Sequence, residues 1–275
     1  MAMPRQVLLF AGCMVQMSLR AWPSWREHFP AGRYRPILQI HNFPQILQIM
    51  QVLQGEANVP VELRPFCHVS PKLRCVRKPR DFSDVELALV EVSSPVELTY
   101  RGYNLHLFGL NQKLVKPLLS TTPEQKNLAD IWTKSLRGID EEGRAKNARA
   151  LIETLPANMP EAALVRSIIE ETRAARTDPA AGLAAVRSKL SCPIALVIRH
   201  FRYMPDGRPV SWPPDFVETL KSAAQQLNIP VFDPAPLVAS AGVKQAIGDN
   251  DNHYRASFCP VMGEAITNFA LSVPG

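Results

Sequence analysis

Short apolar runs alternate along the chain with longer stretches of helical period, and turn-forming residues separate the two. Residues 6–11, Gln-Val-Leu-Leu-Phe-Ala, are a short apolar run ending at Gly12, the pattern of a buried parallel strand entering a turn. A helix is predicted over 14–22, where Pro23 stops it. Residues 35–40 read as a second strand. The stretch 44–54 reads as a helix with Pro44 in its first turn and its end before Gly55. A third strand is predicted over 60–66. Residues 85–92, Val-Glu-Leu-Ala-Leu-Val-Glu-Val, form a further strand closed by Ser93-Ser94-Pro95, because proline cannot donate to a ladder. Residues 193–199 are the most strand-like run and lead into His200. A short strand over 229–232 and helices over 213–226 and 260–271 complete the pattern.

Between 117 and 190 the chain changes character and becomes rich in Ala, Glu, Lys and Arg. Thr122-Pro-Glu-Gln125 carries a capping threonine, a first-turn proline and a reciprocal glutamine, and Asp178-Pro179 repeats the cap-then-proline logic. This stretch reads as a helical insertion or lid, or else as crossover helices packed on the sheet, although a crossover needs only a dozen or so residues. Alternating strands and helices make the fold class α/β.

A length of 275 residues with 46% hydrophobic content gives one large domain ample material for a core. The apolar run near the start is too short for a secretory signal, and charges interrupt every candidate for the roughly 20 apolar residues that cross a bilayer. A cytoplasmic protein without a membrane span is expected. Five cysteines are an odd number with no Cys-x-x-Cys pair, which suggests neither a disulfide framework nor a thiolate zinc site. The net charge of +6 suits an anionic ligand or simply a basic solvated surface.

Two places carry candidate chemistry. In the tail Gly248-Asp-Asn-Asp-Asn-His-Tyr254, His253 follows Asp251 and Asp249, so a carboxylate can orient one ring nitrogen while the other takes a proton. The same composition also describes a polar turn whose Asp and Asn side chains cap backbone groups. Cys13 follows Gly12 at the end of the first strand and opens a helix, where the helix dipole lowers a thiol pKa and suits a nucleophile. A lone cysteine is more often a small packing residue. Gly12, Ser93 and Ser94 end strands that face one crevice in a parallel sheet. His200, beside Arg199 and Arg202, and His41, before Asn42, are possible substrate contacts or structural histidines, and His68 and His106 read as structural.

Val7-Leu-Leu-Phe-Ala-Gly-Cys13 resembles the opening block of SGNH/GDSL hydrolases, with Ala11-Gly12-Cys13 in the places of Gly-Asp-Ser, and the tail resembles their closing Asp-x-x-His block. A cysteine in the serine place is similar to the WcbI-type capsular polysaccharide biosynthesis proteins, which open Gly-Asn-Cys-Gln and are associated with coenzyme A and acetyl transfer. Here Met14 follows the cysteine, although Gln16 is near, and Asn250 stands three before His253, leaving Asp251 or Asp249 as the carboxylate. The resemblance implies one SGNH-like α/β domain over 1–275 built on a three-layer, flavodoxin-like parallel sheet, with 117–190 inserted. It also implies a Cys13–His253–Asp site for acyl transfer from coenzyme A, or an acyl-coenzyme A donor, to a small-molecule or carbohydrate acceptor. Gly12 with Ser93 or Ser94 would hold the oxyanion.

Other readings are an SGNH-type esterase and a non-catalytic scaffold that binds a glycan or a partner. Among the basic residues, Lys134, Arg137, Arg144 and Lys146 are expected to help hold an anionic donor. No pair has metal-ligand spacing such as His-Glu-x-x-His, so no metal is expected, and neither a Walker loop nor Gly-x-Gly-x-x-Gly occurs. Nucleic acid is not an expected partner, because the Lys and Arg residues are dispersed and not interleaved with aromatics.

Overall fold

The computed structural model describes residues 6–29, 40–67, 69, 81–119, 121–156, 161–199, 214–248 and 253–274. Their strands are β1 (Val7–Phe10), β2 (Leu87–Val92), β3 (Val96–Tyr100), β4 (Tyr103–Leu105), β5 (Arg173–Arg176), β6 (Ile194–Ile198) and β7 (Val231–Phe232). The chain forms two compact units. One is Met1–Phe43, Asp81–Ser93 and Asp178–Gly275; the other is Pro44–Arg80 and Ser94–Thr177. The stretch 117–190 therefore lies in the second unit as far as Thr177 and in the first from Asp178.

The first unit holds a four-stranded sheet in the order β1-β2-β6-β7, parallel throughout. Every residue of β2 and β6 is buried, as a parallel strand covered on both faces requires. Leu9, Leu89 and Val197 share a core with Met14, Val15 and Leu19 of the first helix, Cys13–Ala21, and with Met262 and Ile266 of the C-terminal helix, Cys259–Ser272. Leu8, Phe10, Val90 and Leu196, alternating with them, are buried as well. These two helices meet closely at Gly263, where an added Cβ would strike the Ser18 carbonyl and lie 2.7 Å from Cβ of Trp22. Among the described residues this is an α/β architecture with a mainly parallel sheet and many helices. Of the strand expected over 35–40 only Ile40 is described; its N–H donates to the Ala11 carbonyl at 3.5 Å.

The second unit holds a three-stranded antiparallel sheet in the order β4-β3-β5 with helices around a core that includes Tyr100, Trp132, Leu151 and Ile168. The β3–β4 hairpin was not expected. Its signal was the Arg101-Gly102 turn between apolar-polar alternations, and both turn residues have positive φ, 48° and 82°. Residues 60–66 are turns, not a strand: the N–H groups of Leu63 and Arg64 both donate to the Pro60 carbonyl. The local bonds available after Pro60 took precedence over β propensity. The Thr122 hydroxyl caps its helix by accepting from the Gln125 N–H at 3.1 Å, while the Gln125 side chain reaches back to Thr121. Arg144 is buried in this unit, with Nη1 lacking a hydrogen-bond partner among the described residues, whereas Lys134, Arg137 and Lys146 are exposed.

Candidate active site

Parallel strands bring their carboxyl ends to one sheet edge, which places the Gly12-Cys13 turn after β1, Ser93 after β2 and Arg199 after β6 on that edge. Gly12 is the N-cap of the first helix in extended backbone, φ −70° and ψ −175°, which any residue can adopt. Glycine is needed here for space: a Cβ would lie 2.9 Å from Oε2 of Glu91 and 3.1 Å from its Cδ.

Glu91 is the residue that reading the sequence missed. It is the charge inside the apolar strand β2, opposite Val197, and it is 1% exposed. A charged residue in a doubly covered parallel strand was the available signal. Burial pushes its carboxyl up to about 7, against the pull of Arg199 and of the Val15 and Gly12 backbone N–H groups, which favour the carboxylate. Its Oε2 has no hydrogen-bond partner among the described residues.

Cys13 is a free, half-buried thiol. Burial first and the Glu91 charge second push its pKa up, while Arg199 and the N–H groups of Cys13 and Met14 pull it down. The net direction is opposite to what the helix dipole alone predicts. The dipole acts, but here burial and a neighbouring carboxylate outweigh it.

His253 is held by an antiparallel bridge between Ile247 and Tyr254, with the Gly248 N–H donating to the His253 carbonyl at 2.8 Å and the Arg255 N–H to the Ala246 carbonyl at 2.9 Å. Tyr254 is buried against Phe258, their ring centroids 5.6 Å apart, which fixes the backbone beside His253. Burial first and Arg199 second lower the His253 pKa from its usual value, both favouring the neutral ring. Cys13 and His253 thus both respond to the charge of Arg199.

His41 and Ser93 are in direct contact. His41 Nδ1 and the Ser93 hydroxyl share a hydrogen bond of 2.5 Å, and the Ser93 N–H donates to the His41 carbonyl at 2.8 Å. The Ser94 hydroxyl instead donates to the Val96 carbonyl at 2.8 Å, a local turn in the second unit. His106 accepts from the Gly109 N–H at 3.3 Å and caps a helix. Asp249, Asp251 and His200 lie outside the described residues, as does His68. Among the described residues no group of His, Cys, Asp and Glu is placed to hold a metal ion, and no helix is long and apolar enough to cross a membrane.

The model of the TviD N-terminal domain family matches residues 7–269. The chain belongs to that family. It is a family associated with Vi capsular polysaccharide biosynthesis. The match to the TviD N-terminal domain runs from the first residue of β1 into the C-terminal helix, so it spans Cys13, Glu91, Arg199 and His253. No curated protein and no solved structure was found to match.

Proposed function

We propose that the chain is an acyltransferase that moves an acetyl group from a coenzyme A thioester to a hydroxyl of capsular carbohydrate, on an SGNH-like first unit. The observation that supports this reading is that the charge of Arg199, at the end of β6, acts both on the helix-start thiol of Cys13 and on His253, whose pKa it lowers. The family's association with capsular polysaccharide supports the acceptor class. The Cys13 thiolate attacks the acyl carbonyl, and the C–S bond to coenzyme A breaks. The acceptor hydroxyl then gives its proton to His253 as its oxygen attacks the Cys13 thioester, releasing the sulfur. Exchange between two thioesters is nearly isoenergetic, which suits cysteine in place of serine. Asp249 or Asp251 would orient the imidazole. Gly12 backbone, with Ser93 held by His41, would face the oxyanion.

The test is mass spectrometry of the chain after incubation with acetyl-coenzyme A. An acetyl adduct is expected on the peptide containing Cys13 and is lost in Cys13→Ala, while Cys13→Ser is partly defective because a hydroxyl lacks the thiolate's nucleophilicity. Equal labelling of wild type and Cys13→Ala would end this reading. An adduct that decays equally fast with and without added glycan would make the activity that of an esterase, with water as the acceptor.

A further inference from the structure

Glu91 has no part in acyl transfer as written above, yet it lies directly beneath the nucleophile's turn. A carboxylate in the middle of a doubly covered sheet is costly unless it is paired, and one oxygen of Glu91 has no hydrogen-bond partner among the described residues. The titratable and charged groups that face it come from three elements. They are the Cys13 thiol on the first helix, Arg199 at the end of β6 and the buried Tyr254 phenol of the tail. Among the described residues only Arg199 of these is a cation. The Gly12 turn is pressed so closely on the carboxyl that no side chain fits between them. A Glu91 carboxylate and a Cys13 thiolate would therefore share one helix terminus and one arginine, and like charges so placed oppose each other's ionisation.

We propose that Glu91 is a positioning residue that sets the charge of the Cys13 sulfur, the pocket beneath Gly12 holding one negative charge on either the carboxylate or the sulfur. This rests on Cys13 being the nucleophile. When the pair switches, one S–H bond breaks, one O–H bond forms and no net proton is released. The Glu91 carboxyl at about 7 is placed to take that proton near neutrality. The two groups titrate as a pair, with macroscopic midpoints that belong to both.

Glu91→Gln keeps the shape of the side chain and an oxygen that can accept from Gly12 and Val15, but it cannot ionise. The rate at which iodoacetamide alkylates Cys13, read by peptide mass spectrometry on the whole chain between pH 5 and 10, should show its midpoint moving down by about one unit in Glu91→Gln. That is ~10-fold faster alkylation at pH 7. Identical profiles in the two proteins would overturn the proposal. Should Glu91→Gln not fold, infrared spectroscopy of the wild-type chain decides. A protonated, buried carboxyl band should persist above pH 6 and fade through neutrality, and its absence at pH 6 overturns the proposal equally. Alkylation needs no acyl donor. A shifted midpoint without an acetyl adduct therefore preserves the thiol–carboxyl linkage and ends acyl transfer, and an adduct with an unshifted midpoint does the reverse.

Discussion

Strands β2 and β3 follow one another through Ser93-Ser94-Pro95, and each carries a glutamate between two aliphatic residues, Val90-Glu91-Val92 and Val96-Glu97-Leu98. Their fates differ because their sheets differ. In the parallel sheet of the first unit β2 is buried on both faces, so Glu91 has no solvent side to turn to and its carboxyl rises to about 7. In the antiparallel sheet of the second unit β3 alternates buried and half-buried positions, and Glu97 takes a half-buried one where burial raises its carboxyl without sealing it. The same residue type thus has its ionisation shifted to near neutrality where the sheet offers no water, whereas on an alternating strand its carboxyl is raised without being cut off from solvent.

The largest expected effect that sharpens this contrast is on rate. His253→Ala should lower acyl transfer by 10²–10⁴-fold, the span that general-base help typically supplies, while Glu97→Ala leaves it unchanged. Single-turnover acetylation of a glycan acceptor measures both, and a loss well under tenfold for His253→Ala would reduce the histidine to a turn residue. Next comes the pH dependence of stability. The folded chain keeps the Glu91 proton up to about pH 7, whereas the unfolded carboxyl gives it up near 4.5. The folded state thus binds more protons in that window, and stability falls as pH rises from 4.5 to 7 by ~3 kcal/mol from this group alone. Denaturant titrations at several pH values should show this fall in wild type and its disappearance in Glu91→Gln, with Glu97→Gln much closer to wild type. A Glu91→Gln curve parallel to wild type would break the contrast.

Two glycines extend it at smaller magnitude. Gly12→Ala pushes a methyl against Glu91 with no backbone strain, and should cost about 1–3 kcal/mol as overpacking does, with Cys13 alkylation changed as well. Gly102→Ala meets nothing within 4 Å, but its φ of 82° makes the hairpin turn unfavourable by about 1 kcal/mol, with no effect on Cys13. Thermal unfolding and alkylation measured side by side separate the crowded site from the strained turn.

Much of this molecule was set locally and could be read from its residues. The apolar runs that became β1, β2 and β6, the proline that ends the first helix, the caps at Thr122 and Asp178, and the helix-start position of Cys13 all depend on neighbours within a turn or two. The hairpin at Arg101-Gly102 was equally local, and its signal was present but unread. Tertiary structure decided what depends on distance through space. The sequence does not say that segments Pro44–Arg80 and Ser94–Thr177 form a unit of their own, because contact between distant segments leaves no periodic trace. Nor does it reveal that Glu91 faces the Gly12 turn or that Arg199 acts on both Cys13 and His253. The direction of the Cys13 shift was therefore out of reach. A helix dipole is a property of one segment, whereas burial and a facing carboxylate exist only once β1 and β2 lie side by side, and at that range they outweigh it.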